Sequence, residues 1–284
     1  MIERILLAES GSGNTEAMMK ALLQIPLIQR AAITILHVVP PQISAKRMEE
    51  KLVAGELTLV QAIENLGLDP AQVSTVLREG VVKDVVIQVA DEIDADLIII
   101  GSRGLKGLRA ILENSVSQYV FQLASRSILL VKDDLFGIKP IRRVLIGMDQ
   151  SASAQAGLQL GINMLRDISD GELLLVRTVS NLRARLSKET EPNPNDDPVL
   201  TAAAAEARRY GIKTTLSAPE GKAGRRICEL ADDKRINLII LGSPERRPSV
   251  AKGLPDIDRL LGSSLSDFVR VYTPCPVLLT RVAD

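Results

Sequence analysis

The sequence predicts two tandem α/β domains, each a doubly wound, five-stranded parallel sheet covered by helices. Three observations carry that expectation. The chain has 284 residues, about twice the commonest domain length. Three segments of the first half return in the same order in the second half, the mark of a duplication. Within each half, short runs that are apolar throughout alternate with longer stretches of helical periodicity. Strands without in/out alternation are buried on both faces, as in a parallel sheet lying between helices.

The repeat fixes the domain organisation. Arg4 to Ser12 returns as Arg143 to Ser151, Ala95 to Ser102 as Ile236 to Ser243, and Ser127 to Lys132 as Pro276 to Arg281. The spacing between copies grows along the chain, which places insertions in the second copy. The boundary falls in Asp133 to Pro140, a short segment with turn residues at both ends, so the domains are expected at 1–135 and 140–284.

In the first half the apolar runs Ile5 to Ala8, Ala32 to Val39, Val73 to Leu77, Leu97 to Ile100 and Ile128 to Val131 read as strands. Between them Asn14 to Gln29, Ser44 to Leu66, Val82 to Asp91 and Ser115 to Ala124 read as helices. In the second half strands are expected at Val144 to Met148, Glu172 to Val179, Lys213 to Ser217, Leu238 to Leu241 and Val277 to Thr280. Asn181 to Val199 carries Pro192, Pro194 and Pro198 with Asn and Asp, and reads as a mobile loop rather than a helix.

Composition narrows the function. Thirty-five Lys and Arg balance thirty-five Asp and Glu, which disfavours a partner whose phosphate backbone must be neutralised. Aromatic residues make up 2% of the chain with no Trp, leaving few platforms for stacking bases. Cys228 and Cys275 are the only cysteines, so a disulfide framework of the secreted kind is excluded and a reduced, cytoplasmic chain is expected. The N-terminal run is too short and too soon acidic for a signal peptide, and no window reaches membrane-spanning length.

Ligands of open α/β sheets sit at the carboxyl ends of strands, where the strand order reverses. The turns concerned are Ser10 to Asn14 and Gly101-Ser102-Arg103-Gly104. Gly-x-x-Gly after a buried strand lets backbone N–H groups approach an anion. Asn114-Ser115 then opens a helix whose positive end suits a terminal phosphate, and Arg103, Lys106 and Arg109 add cationic charge.

Arg4 to Ser12, His37-Val38-Val39, Ala95 to Gly104, and Asn114 to Val120 leading into Ser127 to Val131 together resemble the universal stress protein family. The second half carries the same landmarks at Val144 to Ser151, Leu238 to Ser243, Gly262-Ser263-Ser264 and Cys275 to Leu279. The resemblance covers nearly the whole chain in two copies. It implies a Rossmann-like, adenine nucleotide alpha hydrolase-like fold and, in the first copy, a site for ATP or another adenine nucleotide, with or without Mg²⁺. On the family pattern Gly101, Gly104 and Ser115 grip the phosphates, Asn114 standing where a third Gly is usual. Val38 takes the adenosine-contact position, Ile100, Ser102, Arg103 and Val116 line the same path, and Ala8 belongs to the same site. Ser10 stands where the family has an Asp, and Glu9, one residue early, is expected on the opposite side of the strand. In the second copy Asp149 keeps the acidic position, but Gly242-Ser243-Pro244-Glu245 loses the second Gly and brings an acid to the phosphate position. The resemblance also implies that such domains pair, so the duplication forms a pseudo-dimer within one chain and leaves homodimerisation open.

His37 is the only histidine, which removes two-His zinc sites and Ser-His-Asp schemes. Its expected role is structural, near a strand end. Two functions follow: a cytoplasmic stress regulator that binds adenine nucleotide in its first domain, with a degenerate second domain as internal partner, or a stress-linked scaffold that binds a protein partner and no ATP. With no placed general base, ATP hydrolysis is expected to be slow at most.

Overall fold

The computed structural model describes residues 2–9, 14–102, 116–132, 139–178, 193–243 and 265–282, and these group into two compact units, one within 2–132 and one within 139–282. The first unit runs β1 (Arg4–Ala8), α1 (Asn14–Leu23), β2 (Ala32–Val39), α2 (Ala45–Leu66), β3 (Val73–Glu79), α3 (Val82–Glu92), β4 (Leu97–Ser102), α4 (Val116–Leu123) and β5 (Ser127–Lys132). Its strands lie in the order β3-β2-β1-β4-β5, and every pair is parallel. Ile5, Leu6 and Leu7 are fully buried, as are Leu97, Ile98 and Ile99. Both faces of these central strands are therefore covered, which is why their sequences do not alternate. At the edge, β3 exposes Ser74, Thr75, Arg78 and Glu79, polar side chains that discourage further strand pairing.

The helix boundaries follow local chemistry. Ser44 caps α2 by accepting the N–H of Arg47 at 3.3 Å, and Gly67 ends it at φ +66°, where a side chain would be strained. Expected to reach Gln29, α1 stops at Leu23 instead, and a 3₁₀ turn follows at Ile28–Arg30. Pro26 lacks the N–H that would continue the helix, a break that apolar periodicity alone does not register.

The second unit runs β6 (Arg143–Gly147), α5 (Ala152–Leu165), β7 (Glu172–Val176), α6 (Pro198–Arg208), β8 (Lys213–Ser217), α7 (Ala223–Asp233), β9 (Leu238–Gly242), α8 (Leu265–Tyr272) and β10 (Val277–Thr280). The order β8-β7-β6-β9-β10 repeats that of the first unit, again with parallel pairs. The expected loop over 181–199 is corrected at its end, where a 3₁₀ turn at Pro194–Asp196 leads into α6. Pro198 starts that helix because its missing N–H is needed by no partner there. Asp197 caps it, accepting the N–H groups of Val199 and Leu200 while pairing with Arg177 at 2.8 Å. Residues 179–192 lie outside the described residues.

The duplication extends to backbone detail. The Asp96 carboxylate accepts the N–H groups of Glu3 and Arg4 at 2.8 and 2.9 Å, and Asn237 Oδ1 accepts those of Arg142 and Arg143 at 3.2 and 2.9 Å. The helices before β4 and β9 exit through left-handed residues, Asp94 at φ +50° and Arg235 at +52°.

Candidate functional site

Strand order reverses at β1, which pairs with β2 on one side and β4 on the other. Ala8 lies level with Leu36 and Ile100, so three carboxyl ends open at one height. Above them is a cavity of about 790 Å³, within the range of small-molecule sites. Its walls are the ends of β1 (Ala8, Glu9), β2 (Leu36 to Val39) and β4 (Ile100, Gly101), with Pro40 and Gln42 following β2. Lys51, Ala54, Gly55 and Thr58 of α2, Val82 and Val86 of α3, and Val116 and Ser117 of α4 complete it. Apolar walls with a few polar groups suit a flat heterocycle held by backbone and amide contacts. Among the described lining residues, Lys51 supplies the ammonium charge that an anionic ligand would meet.

Two contacts set the shape of this cavity. His37 Nδ1 lies 3.0 Å from the carbonyl oxygen of Glu9. A carbonyl only accepts, so Nδ1 carries the proton, and the ring ties the end of β1 to β2. On the other side α2 approaches through Gly55, where an added Cβ would stand 2.8 Å from Leu77 Cδ1 and 3.0 Å from His37 Cδ2. A glycine inside a helix is costly in itself, and here it permits the close approach of α2 to the sheet. Lys83 lies 4.3 Å from the centroid of the Tyr119 ring, tying α3 to α4.

Of the residues singled out from sequence, Ala8, Val38, Ile100, Gly101 and Val116 line this one cavity. Ser102 ends β4. Ser10, Arg103, Gly104, Asn114 and Ser115 lie outside the described residues. Glu9, expected to face away, is itself a lining residue and is 4% exposed. Its carbonyl oxygen meets His37 at the cavity end, and its charge is felt by Glu16 of α1. Burial pushes the Glu16 carboxyl above the usual carboxylate range, against a hydrogen bond from Asn65 at 2.9 Å. The α2 wall escaped the sequence reading because it comes from residues far from the strand-end turns. Gly55 in mid-helix was the one signal that could have found it.

Residues 1–132 and 140–281 each match the model of the Universal stress protein family. The chain belongs to the universal stress protein family. It is 32% identical over 114 residues to universal stress protein G of Salmonella typhimurium, covering 37% of this chain and 80% of that one. It is 27% identical over 148 residues to universal stress protein YxiE of Bacillus subtilis, covering 46% of this chain and 100% of that one. A universal stress protein structure from Archaeoglobus fulgidus superposes with a TM-score of 0.75 at 19% identity, over 99% of this chain and 97% of that one. That likeness extends the shared fold across both copies.

The second universal stress protein domain differs at its strand ends. Asp149 accepts the N–H of Ser151 at 2.8 Å, so one of its oxygens serves the local turn. Gly242 is packed against the first turn of α5, with an added Cβ falling 2.5 Å from Ala154 N and 2.7 Å from Ser153 C. Thr280 Oγ1 donates to Ser153 O at 2.8 Å, fixing the same turn. In α8, Asp267 and Arg270 are both buried, with Arg270 Nε 3.7 Å from Asp267 Oδ1. Burial draws the Arg270 guanidinium below its ordinary range, opposed by the Asp267 charge. The matching position of α4 is the fully buried Phe121, so the copies have diverged inside as well as at their ends. Among the described residues no group of three or more His, Cys, Asp or Glu is placed to hold a metal ion, and no helix is long and apolar enough to cross a membrane.

Proposed function

We propose that this universal stress protein is a cytoplasmic stress regulator that binds an adenine nucleotide in its first domain. The observation that carries the reading is the convergence of Ala8, Val38, Ile100, Gly101 and Val116 on one cavity at the strand-order reversal. Val38 and Ile100 would flank the adenosine, with Gln42 and Thr58 as added polar partners. Gly101, Gly104, Asn114 and Ser115 would receive the phosphates, with Ser102 and Arg103 along the adenosine path, and any Mg²⁺ would arrive with the phosphates. With Ser10 in place of an acid, recognition of the base rests on backbone groups and the amide of Gln42. The second domain acts as a degenerate internal partner, its Asp149 engaged in a turn. No residue is assigned a catalytic role, and hydrolysis is incidental.

The test is an acid extract of the purified protein, analysed for nucleotide, together with melting temperature in ATP, AMP and cyclic nucleotides. Copurified adenine nucleotide, or a melting shift lost in Gly104→Glu, supports the reading. An empty extract with no shift from any of them overturns it in favour of a scaffold that binds no nucleotide.

A further inference from the structure

The 22-residue α2, roughly 33 Å long at 1.5 Å per residue, has one face that no described residue of its own domain covers. Its inner side buries Gly55, Leu59, Ala62 and Leu66. On its outer side Lys46, Val53, Leu57 and Glu64 fall along one stripe, within about 40° of one another at 100° per residue. Val53 is 53% exposed, Leu57 58%, and the adjoining Val60 52%. Ile43, just before the Ser44 cap, is entirely exposed, although a residue there commonly packs on the first turns of its helix. Single exposed apolar residues need no explanation, but a run over two helical turns with a free apolar residue at the helix start does.

The charges say what covers it. The first turn of α2 has no acid and its last turn no base, while Lys46 and Arg47 lie near the start and Glu64 near the end. That arrangement opposes the helix dipole and is unfavourable for the helix alone. It becomes favourable beside an antiparallel copy of the same helix. Lys46 and Glu64 are symmetric about residue 55, and so are Val53 and Leu57. We propose that the outer face of α2 pairs, antiparallel, with α2 of a second copy of this chain about a twofold axis level with Gly55. The twofold sets Lys46 against the partner's Glu64 at both ends and Val53 against the partner's Leu57 on both sides of the centre, a self-complementary contact. In the second domain the corresponding α6 has 11 residues and exposes Ala202, Ala205 and Arg208, so the pairing belongs to the first domain. One helix face is at the low end of specific interfaces, below about 1,200 Å² in total, and the dimer therefore forms and separates with concentration.

Sedimentation velocity of the full chain, from micromolar to submillimolar concentration, tests this. The wild type self-associates, and Leu57→Glu raises the dissociation constant at least about tenfold without moving the melting temperature of the dilute, monomeric chain, since the side chain is exposed. Val53→Lys does the same. Lys46→Glu and Glu64→Lys each weaken the dimer, and the double variant Lys46→Glu/Glu64→Lys restores it. A wild type that stays monomeric leaves the face to another partner and overturns the proposal. So does a Leu57→Glu chain that associates like the wild type, or a double variant weaker than both single ones.

Discussion

Substitution of Gly55 separates two opposing effects at the wall of the cavity. In Gly55→Ala the helix gains about 1 kcal/mol of propensity. Against this, the new Cβ falls 2.8 Å from Leu77 Cδ1, 3.0 Å from His37 Cδ2 and 3.3 Å from Val39 Cγ2. The first of these is the end of a flexible, only partly buried side chain that can rotate away, so the strain is at the low end of the roughly 1–3 kcal/mol of overpacking. The two nearly cancel, and Gly55→Ala should lie within about 1 kcal/mol of the wild type. Gly55→Val keeps little of the propensity gain and adds two methyl groups facing His37 and Val39, which cannot both yield while His37 holds the Glu9 carbonyl. Its cost should be about 2–3 kcal/mol, a fall of roughly 5–10 °C in the melting of the first domain. Calorimetry of the ligand-free chain reads both, and isothermal titration with ATP should show affinity reduced at least about tenfold in Gly55→Val, because α2 is displaced from the cavity. A Gly55→Val protein that melts within about 2 °C of the wild type would refute the close approach of α2 to His37.

Other outcomes follow from the same packing. Gly242→Ala should destabilise the second domain by about 3 kcal/mol or more, since the atoms its Cβ meets are backbone of Ser153 and Ala154; urea melts check it. Asp96→Asn should be nearly neutral in urea melts, because Asn237 makes the equivalent pair of bonds with a neutral oxygen, whereas Asp96→Ala should cost about 0.5–1.5 kcal/mol by removing two solvent-exposed hydrogen bonds. Burial raises the Glu16 pKa above its unfolded value, so between the two values the folded chain holds the extra proton and stability falls as pH rises through that window. Glu16→Gln should therefore raise the melting temperature at pH 7 and not at pH 4, with Asn65 still donating to the new amide oxygen.

The central strands were legible because a parallel sheet buries both faces. Runs such as Leu97 to Ile100 have no other stable place in a chain of this polarity. Tandem duplication was legible because it is written at three points, and it reappears in the Asp96 and Asn237 bonds that no periodicity could disclose. The end of α1 and the start of α6 were misplaced for one reason: prolines act by position. Pro26 halts a helix from within, whereas Pro198 begins one. For the site, Ala8, Val38 and Ile100 came from the family resemblance, and the parallel register that sets Ala8 level with Leu36 and Ile100 places them on one cavity. The contribution of Lys51, Ala54 and Thr58 was not legible, because it depends on how closely α2 lies on the sheet, a distance set by Gly55 against His37 and Leu77.

Photolabelling with an 8-azido adenine nucleotide, followed by mapping of the labelled peptide, tests most directly whether the first domain holds the nucleotide. ATP-protected label on the peptides carrying Val38 to Gln42 or Lys51 to Thr58 is the predicted result. Label that ATP does not displace, or label confined to residues from Lys139 onward, would contradict the assignment.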